Sequence, residues 1–292
     1  MEIILALTSA ALFALGTVLQ QNAGASAPSA GATSGLLLRM ARRPVWLAGI
    51  ASDVLGFVAQ AAALGVGRLA VVQPLLVTSV VFALPMGARL GSQYVRRSDV
   101  IAAVLVVVAL VAFLILASPS GGRSEAPLGD WAIVAVVCVA VCAPIAWLGR
   151  GGPAPRRAVL LGTATGILFA LSAALTKAVV DELHSGVLHV LGSWEPYALA
   201  VAGYVAMTLN QLALDTGALA GTIATSTAFD TIASLVLGLT LFRETLHVTS
   251  LQALGALIAL ALALLGMSVL ARAQEGRSGA PRHIQDQRNE RS

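Results

Sequence analysis

Two carboxylates stand inside long apolar stretches of this 292-residue chain, Asp53 in the run 44–66 and Asp230 in the run 218–241. The other Asp and Glu residues fall in polar connections or near the ends of such runs. At 1.5 Å per helical residue, Asp53 is about 13 Å into its run and Asp230 about 18 Å into its own. Both depths are near the middle of a hydrocarbon layer about 30 Å thick. A charged side chain there costs about 2.5–3.5 kcal/mol on insertion scales, so acids at this depth tend to bind ions or relay protons. Asp53 and Asp230 would then serve as a metal-binding, coordinating or proton-accepting carboxylate pair. The alternative is a protonated carboxyl that bonds a neighbouring helix.

Polar companions surround these acids. Gln60 lies seven residues beyond Asp53, on the same helix face. Asn210 is deep in the run 195–216. Thr222, Ser226, Asp230 and Ser234 recur every four residues, drawing one slowly drifting polar face that Thr227 and Thr231 flank. Such a face either walls a cavity or hydrogen-bonds across helices. Lys177 closes the run 158–181, where its long stem either snorkels to the interface or presents a cation to an anionic solute. Asp53, Gln60, Asn210, Ser226, Thr227, Asp230 and Lys177 are therefore the candidate solute-binding residues.

Other features read as structural. The proline of Gln73-Pro74 frees a backbone carbonyl inside the third run. Gly162-x-x-x-Gly166 permits close helix approach. Cys138 and Cys142, one turn apart, read as small core residues rather than a disulfide or metal site. Glu182, His184, His189 and Glu195 read as a solvated loop, with a metal-collecting vestibule as the other option. No nucleophile elbow, phosphate-binding glycine loop or paired-His zinc motif occurs. Enzymatic activity and a bound cofactor are accordingly not expected.

The elements that position these residues follow from composition. The chain is 58% hydrophobic and only 11% charged, with mean hydropathy +0.87. Soluble domains carry about 25% charge, so a soluble enzyme and a disordered chain are both excluded. Nine runs are long enough to cross a bilayer: 2–23, 44–66, 69–89, 98–117, 130–148, 158–181, 195–216, 218–241 and 249–271. The expectation is an all-α, polytopic membrane protein without a strand framework. The first run reads as a true span, because Met1-Glu2 supplies no basic n-region for a cleaved signal.

A net charge of +4 does not point to nucleic acid here, because the basic residues lie between apolar runs. Fourteen of the 18 Lys and Arg residues fall on one side of the alternation, leaving Arg68, Arg123, Lys177 and Arg243 on the other. The positive-inside rule then places the N-terminus outside and the C-terminus in the cytoplasm of a cell (plasma or inner) membrane. Trp46, Trp131, Trp147 and Trp194 fall at span ends, where amphipathic rings prefer to sit. The partners expected are the lipid bilayer and a small solute or divalent cation, with oligomeric state open and a dimer among the options.

The two halves resemble each other. Leu12-Phe13-Ala14-Leu15 recurs as Leu168-Phe169-Ala170-Leu171, and residues 64–70 align with 214–220, a register that pairs Gln60 with Asn210. The reading is repeat one at 1–117, a linker with its own span at 118–156, repeat two at 157–271, and a polar, disordered tail at 272–292. The single linking span inverts the second repeat, an arrangement shared by many secondary transporters with midplane solute sites.

Three stretches carry a family resemblance. Trp46-Leu47-Ala48-Gly49 is followed by Val72-Gln73-Pro74-Leu75; Leu209-Asn210-Gln211-Leu212-Ala213-Leu214-Asp215 and Phe242-Arg243-Glu244 complete the set. The chain resembles the drug/metabolite transporter (DMT, EamA-like) superfamily over roughly residues 3–271, and within it looks most like the NIPA-type magnesium transporters. The family's acidic residue of the second span aligns with Phe57, and the nearest acid is Asp53, one turn earlier. The resemblance implies a nine-span fold of inverted four-helix repeats and alternating-access transport of divalent cations such as Mg²⁺. Two readings compete with it. One is a proton-coupled carrier of a small organic metabolite. The other is a non-transporting scaffold or accessory subunit, recognisable if both aspartates are buried against helix partners.

Overall fold

A computed structural model of the chain describes residues 1–25, 43–90, 96–123 and 125–278. Arg39 and Arg42 of the first loop, and Arg282, Arg288 and Arg291 of the tail, lie outside the described residues. Among the described residues, nine helices are long and apolar enough to cross a membrane. The protein is a multi-pass membrane protein.

The helices are α1 (Glu2–Ala25), α2 (Pro44–Val66), α3 (Leu69–Leu76), α4 (Ser79–Leu90), α5 (Arg97–Ala117), α6 (Leu128–Leu148), α7 (Ala154–Leu183), α8 (Val187–Gly192), α9 (Glu195–Leu214), α10 (Leu219–Thr240) and α11 (Ser250–Ser278). Each long helix follows an expected run to within a few residues, except where chemistry intervenes. The third run divides into α3 and α4. Pro74 has no N–H to donate to Ala70, and the chain responds with a tight turn in which Val77 N–H donates to Pro74 O and Thr78 N–H to Leu75 O. The Thr78 hydroxyl takes a second share of Leu75 O at 2.6 Å. The last helix runs seven residues past the expected end at 271, into the segment read as a disordered tail.

A second departure is a two-stranded antiparallel ribbon, β1 (Pro119–Gly121) with β2 (Glu244–Leu246). It ties the end of α5 to the start of α11, two helices that also pack along their length. Ala102, Val106, Leu110, Ala263 and Met267 fill that seam.

Hydrocarbon gives no hydrophobic drive for helix pairing, so contact rests on van der Waals fit and on small residues that admit close approach. The buried stripe Ala6, Ala10, Ala14, Val18 of α1 meets this need. So does Gly162, Gly166, Ala170, Ala174 of α7. α1 packs chiefly on α2, and α7 chiefly on α10 and α9. A central cluster of Leu64, Leu69, Val72, Leu75, Ala170, Ala174, Leu237 and Phe242 joins the two halves. Outward faces stay apolar, with Ile101, Val104, Val108 and Ile115 of α5 and Ile133, Val136 and Val139 of α6 exposed, as lipid-facing helices require.

Three tryptophans occupy span ends as rim residues, but Trp131 turns inward. It is 5% exposed and stacks edge-on against Trp194 and Phe242, with ring centroids 5.4 and 6.3 Å away. Cys138 and Cys142 are free thiols, both buried.

Candidate functional site

The deep aspartates sit in separate helix pairs. Asp53 of α2 points at α1, where the Gln20 amide donates to Asp53 Oδ2. Gly16 makes the room: a Cβ there would run into the carboxylate, lying 2.8 Å from Asp53 Cγ. Ser9 Oγ donates to Gly56 O at 2.7 Å and fixes the same pair one turn further on. Asp230 lies where α10 crosses α7 and Gly166 lets the two backbones touch; a Cβ at Gly166 would stand 2.8 Å from Asp230 N. Ser234 Oγ donates to Asp230 Oδ1 at 3.3 Å.

The polar face of α10 is largely satisfied by its own backbone. Ser226 Oγ donates to Ile223 O and Thr231 Oγ1 to Thr227 O, whereas Thr222 Oγ1 reaches Ala213 O at the end of α9. Thr227 is half-buried, as are Gln60 and Asn210, and Phe57 faces outward. Asp53 and Asp230 line neither of the two cavities described next.

Charges gather at one end of the bundle. A cavity of about 250 Å³ is lined there by Glu2, Arg68, Arg123, Lys177, Asp181 and Glu244, with Gly65, Gly67, Gly121 and Gly122 completing its wall. Its origin is the two-residue turn between α2 and α3. That turn brings the last carbonyls of α2 and the first amides of α3 to one place, and both sets lack helical partners. Lys177 Nζ donates to Leu64 O and Gly67 O, each at 2.9 Å. Three successive amides of the turn go to acids: Arg68 N–H to Glu2 Oε2 at 2.9 Å, Leu69 N–H to Glu244 Oε1 at 2.7 Å and Ala70 N–H to Glu244 Oε2 at 3.0 Å. A cation at the carbonyl end and carboxylates at the amide end match the two helix dipoles.

Glycines create the space. A Cβ at Gly67 would come 2.5 Å from Glu2 Oε2, and one at Gly238 would come 2.5 Å from Glu244 Oε2. Arg123 closes the rim, its Nε donating to Leu241 O at 2.9 Å and its guanidinium pairing with Asp130. Lys177 also lies 5.6 Å above the Phe242 ring and 3.7 Å from Asp181. At 8% exposure it is buried, its amine turned to the carbonyls that end α2. Burial pushes the Glu244 carboxyl above its ordinary value; the amides of Ala70 and Leu69, then Lys177 and Arg68, pull it back in part.

Glu2, Arg68, Arg123, Asp181 and Glu244 were not foreseen as one site. Their sequence positions mark only charges in loops or at run ends, and the signal for Glu244 was its place in Phe242-Arg243-Glu244, just past the end of an apolar run. In the loop 182–195, the buried Oε2 atoms of Glu182 and Glu195 have no hydrogen-bond partner among the described residues. Among those residues no group of three or more His, Cys, Asp or Glu is placed to hold a metal ion.

The second cavity is an apolar groove of about 730 Å³ between α6, α7 and α9, with Trp131 and Trp194 toward one end and Trp147 and Arg150 toward the other.

No family model matches the chain, and no solved structure matches it. The chain is similar to the uncharacterized protein Cgl0250/cg0304 of Corynebacterium glutamicum, with 31% identity over 284 residues, covering 97% of this chain and 98% of that protein. The matched stretch takes in nearly the whole of both chains, and the chain belongs to the family of that Corynebacterium protein.

Proposed function

We propose that the protein is a secondary carrier of the drug/metabolite transporter type, moving a small polar organic solute by alternating access between two inverted four-span repeats. The observation that carries the solute class is the buried Lys177, sharing one cavity with Arg68 and Arg123 as well as Glu2, Asp181 and Glu244. A lining of both signs suits a solute that carries both signs. The three cations there are matched by three carboxylates, so the cavity offers a bare divalent ion no excess of negative charge.

The repeat reading draws support from burial. Positions 51–60 of α2 and 201–210 of α9 show the same order of buried and exposed residues, in the register that pairs Gln60 with Asn210. Asp53 then corresponds to Gly203, so the two aspartates are not repeat equivalents. The helix pairs α1–α2 and α7–α9 correspond in the same way. Arg68, Arg123 and Lys177, three of the four basic residues on the sparse side of the charge alternation, line the vestibule. This favours placing the vestibule end outside, with the C-terminus cytoplasmic.

In this scheme the end that holds the charged cavity is latched shut by Lys177 on α2, by Glu2 on the turn at Arg68 and by Glu244 on α3, while Asp53 and Asp230 couple transport to protons. Mg²⁺ transport is the second reading, favoured by the two deep acids and by the NIPA resemblance. A scaffold without transport is favoured by the bonds Gln20–Asp53 and Ser234–Asp230.

Proteoliposomes loaded with a pH-sensitive dye separate the three. Zwitterionic metabolites, offered singly beside Mg²⁺, are expected to include one that drives proton movement. Mg²⁺ flux without proton movement overturns the organic-solute reading, and no flux of any kind favours the scaffold.

A further inference from the structure

The groove between α6, α7 and α9 has a form that the transport reading does not use. α6 touches the rest of the bundle mainly through α7, and it stands away from α9 along most of its length. Between its two tryptophans, most of the residues it turns to the groove are small, Ala135, Cys138, Cys142 and Ala146 among them, so the gap stays open. One end is blocked by the Trp131–Trp194 pair. From Trp147 to Trp131 the groove runs about 24 Å at 1.5 Å per residue, longer than the roughly 15 Å that the chains of one leaflet occupy in a 30 Å core. An apolar space of this kind, open to hydrocarbon, is filled by chains and not by water.

The other end carries charge. Arg150 lines the groove mouth on the short connection between α6 and α7. Arg156 and Arg157 lie just beyond it on the first turns of α7. Arg157 Nε donates to Gly149 O at 3.3 Å, which holds the second guanidinium beside the residue preceding Arg150. The left-handed Gly152, with φ of 101°, lets the chain double back so tightly. Acids are missing from residues 131–180, so nothing on this hairpin neutralises the three arginines locally.

We propose that this groove is a binding site for an anionic phospholipid, with one acyl chain lying between α6 and α9 and the phosphate held by Arg150 and its neighbours. Apolar length, a closed aromatic end and a basic mouth are the three properties such a lipid needs, and charge complementarity at the mouth selects it over a zwitterionic lipid.

The test uses the full chain reconstituted in phosphatidylcholine vesicles. These contain equal small fractions of phosphatidylglycerol and phosphatidylcholine probes, each with a photoactivatable group on one acyl chain. Adducts are mapped by mass spectrometry. Phosphatidylglycerol is expected to label residues 131–150 about fivefold or more over phosphatidylcholine, the selectivity that one arginine near the surface confers. The outward face of α5, at Val104 and Val108, should show no such preference. Arg150→Gln with Arg156→Gln, both exposed positions, should abolish the preference and leave the α5 labelling unchanged. Equal labelling of 131–150 by both probes, or a preference that survives the double substitution, overturns the proposal. Crosslinks between copies of the chain in place of lipid adducts at 131–150 also overturn it, by showing that a second copy fills the groove.

Discussion

Gly166→Leu is expected to prevent α7 and α10 from docking, leaving little folded, monodisperse protein. A Cβ alone at this position would run into Ser226 O and stand 2.8 Å from Asp230 N and 3.0 Å from Phe229 Cβ. Two of these three atoms are backbone, and helix backbone has no rotamer by which to move aside. Overpacking of a close-packed interior costs about 1–3 kcal/mol where side chains can adjust, and more where they cannot. A leucine here should exceed that range, because the whole helix must shift and carry Asp230 with it. Gly203→Leu is the matched control: nothing lies within 4 Å of a Cβ there, and its effect should stay within about 0.5 kcal/mol. Thermal unfolding and size-exclusion profiles in detergent read both.

Glu244→Ala is expected to cost about 3–5 kcal/mol, the loss that follows when one partner of a buried charged network is removed. The carboxylate is 4% exposed and takes both Leu69 N–H and Ala70 N–H. Without it, two amides at the start of α3 are left without an acceptor, and Lys177 loses a nearby negative charge. The pH dependence has a definite sign. Burial raises the folded-state value above the ordinary 4.5, so the folded protein holds this proton more tightly than the unfolded chain. The resulting stabilisation is full below pH 4.5 and is lost as pH rises through the raised value. The stability gap between wild type and Glu244→Ala should therefore narrow from acid toward neutral pH, without closing. A gap that widens over that range would mean that the amides and the nearby cations outweigh burial at this carboxyl.

The nine spans were legible because each run holds about 20 apolar residues, a length that few alternatives explain. Pro74 was legible as a disturbance, but the position of the break was not, since it depends on Thr78 turning its hydroxyl onto Leu75 O. The ribbon escaped notice for another reason. Pro119–Gly121 and Glu244–Leu246 are three residues each, too short for periodicity, and they meet only because α5 and α11 lie side by side. The vestibule draws Glu2, Arg68, Arg123, Lys177 and Glu244 from five separate stretches of chain, so no local spacing could reveal it. Asp53 and Asp230 were visible through the cost of their positions. Ser234 was visible on the same stripe as Asp230, one turn away, though not as its hydrogen-bond partner. Gln20 was not seen as the partner of Asp53, since its approach depends on α1 and α2 packing through Gly16 and Gly49.

Wherever a solute that drives proton movement is identified, the decisive measurement is that movement in Asp53→Asn and Asp230→Asn proteoliposomes. Asparagine keeps the size of each side chain and an acceptor for Gln20 or Ser234, while removing the proton site. Both variants are expected to remain folded and monodisperse, and proton movement is expected to be lost in at least one of them. Full coupled flux in both variants would contradict the claim that these intramembrane carboxylates carry the coupling.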